Sequence, residues 1–341
     1  MTRITIKSSQ HQFEARPSQT VIEAAISAGI SLPYGCRTGT CGTCKSTLIS
    51  GEVDYGDYAT SAMTEAEKAA GKVLLCCAHA LTDVTVECRE MHEDVIQPRI
   101  MPTRVERKAQ LSHDVIALFL KLPNNERLQF KAGQYLEFLL KDGKRRAFSI
   151  ANAPHADGLI ELHLRLIPGG QFTEYVFNEM LEKAVMRIEA PFGNFYLRED
   201  SEKPMIMVAG GTGFAPIKAI IEHMLNNNIQ RQVTLYWGAK ALDDLYMPQL
   251  PERWAAQYPH IQFIPVLSDA LPEDNWQGRT GFVHQAVLDD FATGLKDYEV
   301  YCCGAPVMVE VAHASFMQAG LSEDAFLSDA FSYAKPTPKA P

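Results

Sequence analysis

The sequence lacks several features that would assign it to common classes of protein. No apolar run in its 341 residues approaches the about 18 residues that a membrane-spanning helix requires. The opening stretch "MTRITIKSSQ" also contains no apolar run of signal-peptide length. Basic residues are scattered rather than arranged in a stripe, and the formal net charge is -9. We therefore predict a cytoplasmic protein without membrane insertion and without a nucleic acid partner.

Disulfide bonds are not expected either, although the chain has 8 cysteines. In a reducing compartment cysteines seldom form a disulfide framework, and these are clustered rather than dispersed like small buried apolar residues. Metal binding or redox chemistry is the favoured explanation. The length predicts two to three domains with room for apolar cores.

The pattern along the chain predicts three domains of different fold class. Residues 1–95 contain short strands and a helix that begins with a capping box at Thr20 and Glu23, which indicates a small α+β domain. Residues 100–200 are strands separated by turn clusters, which favours an antiparallel β-barrel. Residues 204–335 alternate apolar strands with amphipathic helices, as in a parallel α/β sheet, and "SYAKPTPKAP" is predicted to be a loose tail.

The stretch "YGCRTGTCGTCKS" carries the first motif with a chemical meaning. Its cysteines, Cys36, Cys41 and Cys44, have the C-x4-C-x2-C spacing of plant-type 2Fe-2S sites. Glycines within the loop let backbone N–H groups turn toward the sulfurs and offset their negative charge. A zinc site is the alternative, but zinc loops usually contain two C-x2-C pairs, and the sequence has one.

Two adjacent cysteines, Cys76 and Cys77, compete for the fourth position, and spacing alone does not separate them. The segment "LLCCAHALTDVTVE" resembles that of plant-type ferredoxins, in which the last ligand precedes an Asp by seven residues. Cys76 stands seven residues before Asp83, so the resemblance implies Cys76 as the ligand. It leaves Cys77, Cys88 and Cys302 as structural residues.

The middle block contains "RRAFSIANAP", which resembles the RxYS segment of the ferredoxin-NADP reductase superfamily. The resemblance implies that Arg146 pairs with a flavin phosphate, that Phe148 lies against the isoalloxazine, and that Ser149 is a catalytic residue near its reactive edge. Phe in place of Tyr loses a hydroxyl. The later "LHLRLIPGGQFTEYVF" resembles the pyrophosphate segment of the family, although by itself "PGG" would also suit a simple turn. That segment assigns cofactor-binding roles to Gly169, Gly170 and Thr173.

The last block opens with "MIMVAGGTGFAPIKAI", a strand, a Gly-rich turn and a helix. Glycines and a helix start suit a pyrophosphate, and the absence of a following Lys-Ser/Thr excludes a P-loop. Pro216 is predicted at the first helical position. A lone G-x-G is weak evidence, but the family's nicotinamide domain begins with the same "GGTGxxP". The residues of this segment implied in cofactor binding are Gly210, Gly211, Thr212, Gly213 and Pro216.

Two further segments complete the resemblance. "VYCCGAPVMV" is similar to the family's "CGxP" segment, which implies Cys303 as a catalytic residue beside the nicotinamide, with Gly304 and Pro306 in cofactor binding. "LSDAFSYA" resembles the closing segment of the family, in which an aromatic residue, here Phe331, approaches the flavin. The mechanism requires no general acid or base, so structural roles are expected for His155, His163 and His284.

The order of the three blocks resembles that of the reductase components of multicomponent oxygenases. It implies an enzyme that passes electrons from NADH through FAD to a 2Fe-2S cluster, and then singly to an electron-acceptor protein. The acceptor is expected to be an oxygenase. The sequence is also similar to the CDP-6-deoxy-glucoseen reductase group, which serves an iron-sulfur dehydrase, and a redox sensor without a turnover partner is a further alternative. Lys240, followed by Asp243 and Asp244, favours NADH but leaves NADPH open.

Overall fold

We analysed a computed structural model of the chain, which describes residues 1–91, 95–156 and 158–331. The chain divides into two compact units, Met1–Pro98 and the part that begins at Arg99, and each is described by itself. The predicted tail "SYAKPTPKAP" and the predicted end of the third domain at residue 335 lie outside the described residues. Among the helices described here, none has the length and apolar character to cross a membrane.

The first unit is a small α+β domain, as predicted. Its sheet has the order β2-β1-β7-β3-β5, in which β1 and β7 are parallel and the other pairs are antiparallel. This mixed sheet with a helix packed on it is a β-grasp fold. The elements are β1 (Thr2–Ile6), β2 (Gln12–Ala15), α1 (Val21–Ser27), β3 (Lys45–Ser50), β4 (Val53–Asp54), α2 (Glu65–Ala69), β5 (Lys72–Leu74), β6 (His79–Ala80) and β7 (Val84–Glu87).

Local sequence determines where α1 begins and ends. The Thr20 hydroxyl accepts the Glu23 N–H at 3.3 Å, and the Glu23 carboxylate accepts the Thr20 N–H at 3.0 Å, which is the predicted capping box. Gly29 follows the helix with φ +76°, a left-handed conformation that glycine adopts without strain. The chain then turns away from the helix and enters the cysteine-rich loop.

The second unit begins with an antiparallel barrel. Its sheet has the order β11-β10-β13-β8-β9-β12. The two edge strands meet through an antiparallel bridge between Ile150 and Leu162, and the Ala151 N–H donates to the Glu161 carbonyl at 2.7 Å, so these contacts close the barrel. The elements are β8 (Arg99–Gln110), β9 (Val115–Lys121), β10 (Tyr135–Leu139), β11 (Arg145–Ser149), β12 (Ile160–Arg165), α3 (Gln171–Asn178) and β13 (Val185–Phe192).

The remainder of the second unit is a parallel sheet with the order β17-β16-β15-β14-β18-β19. The strand order reverses between β14 and β18, and ligands of such sheets bind at the carboxyl ends of the strands beside that reversal. The elements are β14 (Met205–Gly210), α4 (Phe214–Asn226), β15 (Val233–Ala239), α5 (Gln249–Gln257), β16 (Ile261–Leu267), β17 (Arg279–Thr280), α6 (Val283–Asp290), β18 (Glu299–Gly304), α7 (Pro306–Gln318) and β19 (Phe326–Ala330).

The predicted position of Pro216 is wrong by two residues. The Gly-rich segment forms a 3₁₀ turn over Gly211–Gly213, and α4 begins at Phe214, which makes Pro216 its third residue. A proline fits anywhere in the first turn because the N–H groups there have no intrahelical acceptor. The first helical position is occupied by a proline in α7, where Pro306 follows the N-cap residue Ala305.

Candidate functional site

The cysteine-rich loop directs backbone N–H groups at its own sulfurs. The N–H groups of Thr38 and Thr40 donate to the Cys36 Sγ at 3.4 and 3.3 Å, and the Cys36 N–H donates to the Cys41 Sγ at 3.5 Å. The backbone of the loop depends on a glycine at position 39. Gly39 has φ +70°, and a Cβ there would lie 2.6 Å from the Cys77 Sγ. The loop therefore supplies hydrogen bonds that stabilise negative charge on sulfur.

Cys76, rather than Cys77, reaches the sulfurs of the loop. Contacts with the thiols of Cys36, Cys44 and Cys77 raise the pKa of Cys76, so its Sγ lies among the loop sulfurs. The Cys77 Sγ lies 3.7 Å from the Cys76 Sγ and faces Gly39 from outside this group. Hydrogen bonds from the thiols of Cys41 and Cys76 hold the pKa of Cys36 far below its ordinary value. The four sulfurs form one donor set of the chemistry that a 2Fe-2S cluster requires.

Strand β11 presents the predicted flavin segment on two faces. Arg145 is held on one face by the carboxylates of Glu137, at 2.8 Å, and of Glu189. Successive side chains of a strand point to opposite faces, so Arg146 and Phe148 share the other face. Arg145 is exposed and is thus committed to an ion-pair cluster on the opposite face of the sheet from Phe148.

Phe148 packs into the barrel rather than standing free. Its ring centroid lies 5.9 Å from that of Phe138 and 5.6 Å from that of Phe172. Both partners are buried, and Phe148 itself is half-buried. The uncovered part of this ring is what remains to contact a flavin, and its predicted role stays a prediction.

The turn before α3 contains the other residues predicted for the pyrophosphate. Gly169 has φ +78° and open space where a Cβ would stand, and its N–H donates to the Glu174 carboxylate at 2.7 Å. Gly170 caps α3, and a Cβ there would lie 2.8 Å from the Thr173 Oγ1. The Thr173 hydroxyl is buried and accepts the Ile167 N–H at 3.1 Å. Thr173 therefore stabilises the turn, and binding a phosphate would require it to exchange this bond.

Ser149 and Cys303, the two predicted catalytic residues, lie on either side of Asp329. The buried Ser149 hydroxyl donates to the Asp329 Oδ2 at 3.3 Å. Asp329 is the register partner of Cys303 across β18 and β19. Burial, reinforced by the charge of Asp329, raises the pKa of Cys303, so the thiol keeps its proton. The structure thus brings together three polar side chains from three strands.

The predicted Gly-rich turn packs against the end of β18 with almost no space between the backbones. A Cβ at Gly213 would lie 2.0 Å from the Cys303 carbonyl oxygen. A Cβ at Gly210 would lie 2.5 Å from the Met308 Sδ, and one at Gly304 would lie 3.1 Å from the Gly210 Cα. The glycines therefore allow a close approach of two strand ends and leave Gly210, Gly211 and Thr212 half-buried beside them, an arrangement that suits a pyrophosphate cradle.

The remaining predicted residues surround this edge of the sheet. Thr212 lies within the 3₁₀ turn, and Pro306 starts α7 directly after Gly304. The Phe331 N–H donates to the Gly304 carbonyl at 2.9 Å, and its half-buried side chain packs against the core of the parallel sheet. His163 is buried and His284 stacks on Phe282 at 5.8 Å, while His155 is exposed.

Three family models match the chain in the predicted order. A 2Fe-2S iron-sulfur cluster binding domain matches residues 4–81, an oxidoreductase FAD-binding domain matches residues 102–196, and an oxidoreductase NAD-binding domain matches residues 207–314. The chain belongs to the ferredoxin-NADP reductase superfamily. Within it, this reductase is of the three-domain type that carries an N-terminal 2Fe-2S domain.

Relatives match the reductase over nearly its whole length. It is 40% identical to the CDP-6-deoxy-L-threo-D-glycero-4-hexulose-3-dehydrase reductase of Yersinia pestis, with 94% of this chain and 95% of the relative covered. It is 36% identical to reductase component 2 of the terephthalate 1,2-dioxygenase of Comamonas sp., with 96% and 97% covered. Among solved structures, the Amycolatopsis cytochrome P450 reductase GcoB matches with a TM-score of 0.82 and 32% identity, over 97% of this chain and 99% of that one.

The predicted fold class, enzyme class and cofactors are thereby confirmed. The reductase is an NAD(P)H-dependent flavin and iron-sulfur oxidoreductase, in which electrons pass from the nicotinamide nucleotide through FAD to the cluster. The individual site residues and the domain boundaries are predictions that family membership alone does not test. Within this chain, the sulfurs of Cys36, Cys41, Cys44 and Cys76 fit the cluster, and the glycine cradle at Gly210–Gly213 fits a dinucleotide.

Asp329 is the site residue that sequence reasoning missed. It stands inside "LSDAFSYA", two positions before Phe331, and the resemblance drew attention to the aromatic residue alone. Its contact with Ser149 spans 180 residues of sequence. The signal that could have found it is an acidic residue beside apolar residues in the short terminal segment "FLSDA", because acidic residues are seldom buried without a partner.

The choice of the fourth ligand generates the first prediction. Cys76→Ser should strip the cluster, because a hydroxyl replaces the thiolate that lies among the loop sulfurs. Cys77→Ser is the matched control and should keep the visible iron-sulfur absorption and the iron and sulfide content. The reverse pattern in these two variants would overturn the assignment of Cys76.

The contrast between adjacent arginines generates the second prediction. Arg146→Ala should weaken FAD retention, because Arg146 is the arginine of β11 that the ion-pair cluster at Glu137 and Glu189 does not hold. The measurement is the flavin-to-protein ratio after gel filtration. Arg187→Ala, at an exposed position of β13 in the same barrel, is the control and should retain FAD. Unchanged flavin content in Arg146→Ala would count against a phosphate role.

The packing of the Gly-rich turn generates the third prediction. Gly213→Ala should slow the bleaching of flavin by NADH at least about tenfold, because the added methyl group must push the turn away from β18. Stopped-flow absorbance under anaerobic conditions measures this rate. In Gly158→Ala, where a Cβ meets nothing within 4 Å, the rate should stay unchanged. Equal rates in both variants would show that the close approach is not needed for reduction of the flavin.

Proposed function

We propose that this reductase is the electron-transfer component of a multicomponent oxygenase. It oxidises NADH, passes the electrons through FAD to its 2Fe-2S cluster, and delivers them singly to the oxygenase component. The observation that carries the proposal is the presence of all three carrier domains on one chain that is 36% identical, over 96% of its length, to the reductase component of a terephthalate dioxygenase. A hydride donor, a flavin and a one-electron cluster in series convert a two-electron donor into single electrons.

The residues of the chain contribute to the reaction by positioning the dinucleotide. The glycine cradle at Gly210–Gly213 would hold the dinucleotide phosphates, and the end of β18 would lie beside the nicotinamide. The Ser149 hydroxyl donates a hydrogen bond to the Asp329 carboxylate, and the Cys303 thiol stays protonated. The group formed by Ser149, Asp329 and Cys303 supports the proposed hydride step by holding polar side chains in fixed orientations. None of these side chains has to accept or release a proton for the hydride to move.

The proposal of NADH as the donor is supported by the end of β15. The Asp244 carboxylate accepts the Ala241 N–H at 3.0 Å and so acts as a local cap. Lys240 and Asp243 remain exposed there. An acidic side chain at this point accepts hydrogen bonds from a ribose 2′-hydroxyl and repels a 2′-phosphate.

An iron-sulfur dehydrase of deoxysugar synthesis is the second candidate acceptor. It is favoured by the 40% identity to the Yersinia pestis dehydrase reductase, which exceeds the identity to the oxygenase reductase component. Both acceptors take electrons one at a time from a partner protein. They differ in the surface that the reductase must contact and in the final substrate.

One experiment tests the electron path and the acceptor together. The reductase, loaded with FAD and the cluster, is mixed with NADH and either the oxygenase component of terephthalate 1,2-dioxygenase or the hexulose-3-dehydrase, and product is measured. We expect product with the oxygenase and none with the Cys76→Ser variant, whose flavin is still reduced. Product with the dehydrase alone would favour the second candidate. Slow oxidation of NADH with both acceptors and with cytochrome c, despite full loading, would favour a redox sensor.

A further inference from the structure

A buried polar network joins the flavin barrel to the nicotinamide-binding part of the same compact unit. Lys218, in the second turn of α4, is its centre and is 5% exposed. Its ammonium donates to the Ala151 carbonyl at 3.0 Å, to the Glu161 Oε2 at 3.0 Å and to the Glu222 carboxylate at 3.0 Å. An ammonium has three N–H donors, and each of them is used.

The network continues from Glu161 to Tyr246. The Glu161 Oε1 lies 2.9 Å from the His163 Nε2, and the His163 Nδ1 lies 2.9 Å from the Tyr246 hydroxyl. Burial opposes ionisation of Glu161, but the hydrogen bond from His163 and the charge of Lys218 lower the pKa of Glu161 to about 2. The ionised carboxylate can only accept, so the His163 Nε2–H donates to it and the Tyr246 hydroxyl donates to Nδ1. Burial lowers the pKa of His163, in agreement with this neutral form.

The two ends of the network lie at the two cofactor segments. Ala151 stands two residues after Ser149, at the seam that closes the barrel. Tyr246 packs edge-on against Trp237 at 5.0 Å, and the Trp237 Nε1–H donates to the Gly211 carbonyl at 2.9 Å, within the Gly-rich turn. A continuous set of contacts therefore runs from the flavin segment to the dinucleotide cradle.

The buried polar network is not needed simply to hold the barrel and the parallel sheet together. The core of the nicotinamide sheet already includes barrel residues such as Val115, Ala132 and Phe195, so apolar packing holds the two parts together. Replacing buried ion pairs by well-packed apolar residues is often neutral or stabilising, because charges are costly to desolvate. Hydrogen bonds also fix the relative orientation of the two parts, because each holds one donor at a defined distance and angle from one acceptor.

We propose that Lys218, Glu161, His163 and Tyr246 are positioning residues for hydride transfer, which fix the Gly-rich turn relative to the flavin segment. Hydride transfer needs the donor and acceptor atoms roughly 3 to 3.5 Å apart, and a misplacement of about 1 Å can cost about 100-fold in rate. The inference rests on the passage of electrons from NADH to FAD and on no property of the acceptor. Its test uses no acceptor, so its failure is distinct from a failure of the proposed oxygenase function.

The test compares the holoenzyme with Tyr246→Phe and Lys218→Met. Anaerobic stopped-flow measures flavin bleaching over a range of NADH concentrations, and the long-wavelength charge-transfer absorbance between nicotinamide and flavin is recorded. We expect the limiting rate to fall about 10- to 100-fold with little change in the NADH dissociation constant, and the charge-transfer absorbance to weaken. Tyr258→Phe, at the half-buried tyrosine that ends α5, and Lys203→Met, at an exposed lysine, are the matched controls.

The double variant tests whether the residues act as one unit. Tyr246→Phe should slow the reaction less in the Lys218→Met background than in the wild type, since the connection is already broken. If Lys218→Met does not fold, Tyr246→Phe still decides, because it removes one hydroxyl and keeps the ring against Trp237. A lowered melting temperature with unchanged limiting rate and charge-transfer absorbance would overturn the proposal and leave the network a purely structural role. Equal losses in Tyr258→Phe would also overturn it.

Discussion

The carboxyl ends of β14 and β18 approach so closely that no side chain fits between them. The Gly213 Cα stands against the Cys303 carbonyl, and Gly304 stands against Gly210. This contact sets the path of the Gly-rich turn and therefore the start of α4. On its other side β18 pairs with β19, and this pairing brings Asp329 to Ser149 of the barrel. The Gly-rich turn and the position of Lys218 on α4 therefore depend on this backbone approach.

Sequence reasoning was most successful where structure is decided by neighbours in the chain. The capping box at Thr20 involves residues three positions apart, and the alternation of strands and helices after residue 204 follows from local apolar patterns. It failed for the start of α4, because a proline is accepted at several positions of a first helical turn and its presence does not identify which one. It also gave no indication of β11, since "RRAFS" has no apolar alternation and becomes a strand by pairing with β10.

The residues of the candidate site also fall into those that local motifs predict and those that depend on contacts between distant parts of the chain. Cysteine spacing and short motifs predict the cluster loop, the flavin segment and the dinucleotide turn, and the three family models match the parts of the chain that contain them. They did not reveal Asp329, because its partner Ser149 is 180 residues away. They also did not reveal that His163, expected to be structural, lies between a carboxylate and a tyrosine hydroxyl. Choosing Cys76 over Cys77 required a resemblance, since adjacent residues differ only in where the folded loop directs their sulfurs.

The seam of the barrel has a consequence for how such reductases can be recombined. Ile150 and Ala151 close the barrel against β12, and Ala151 and Glu161 also bind Lys218 of α4. The joint between the flavin and nicotinamide parts therefore includes residues well inside the barrel sequence, in addition to Arg198 in the linker near residue 200. An exchange of nicotinamide domains between relatives that cuts at the linker separates Lys218 from its acceptors. The 2Fe-2S domain forms its own compact unit, Met1–Pro98, and can therefore be exchanged between relatives without cutting through these contacts.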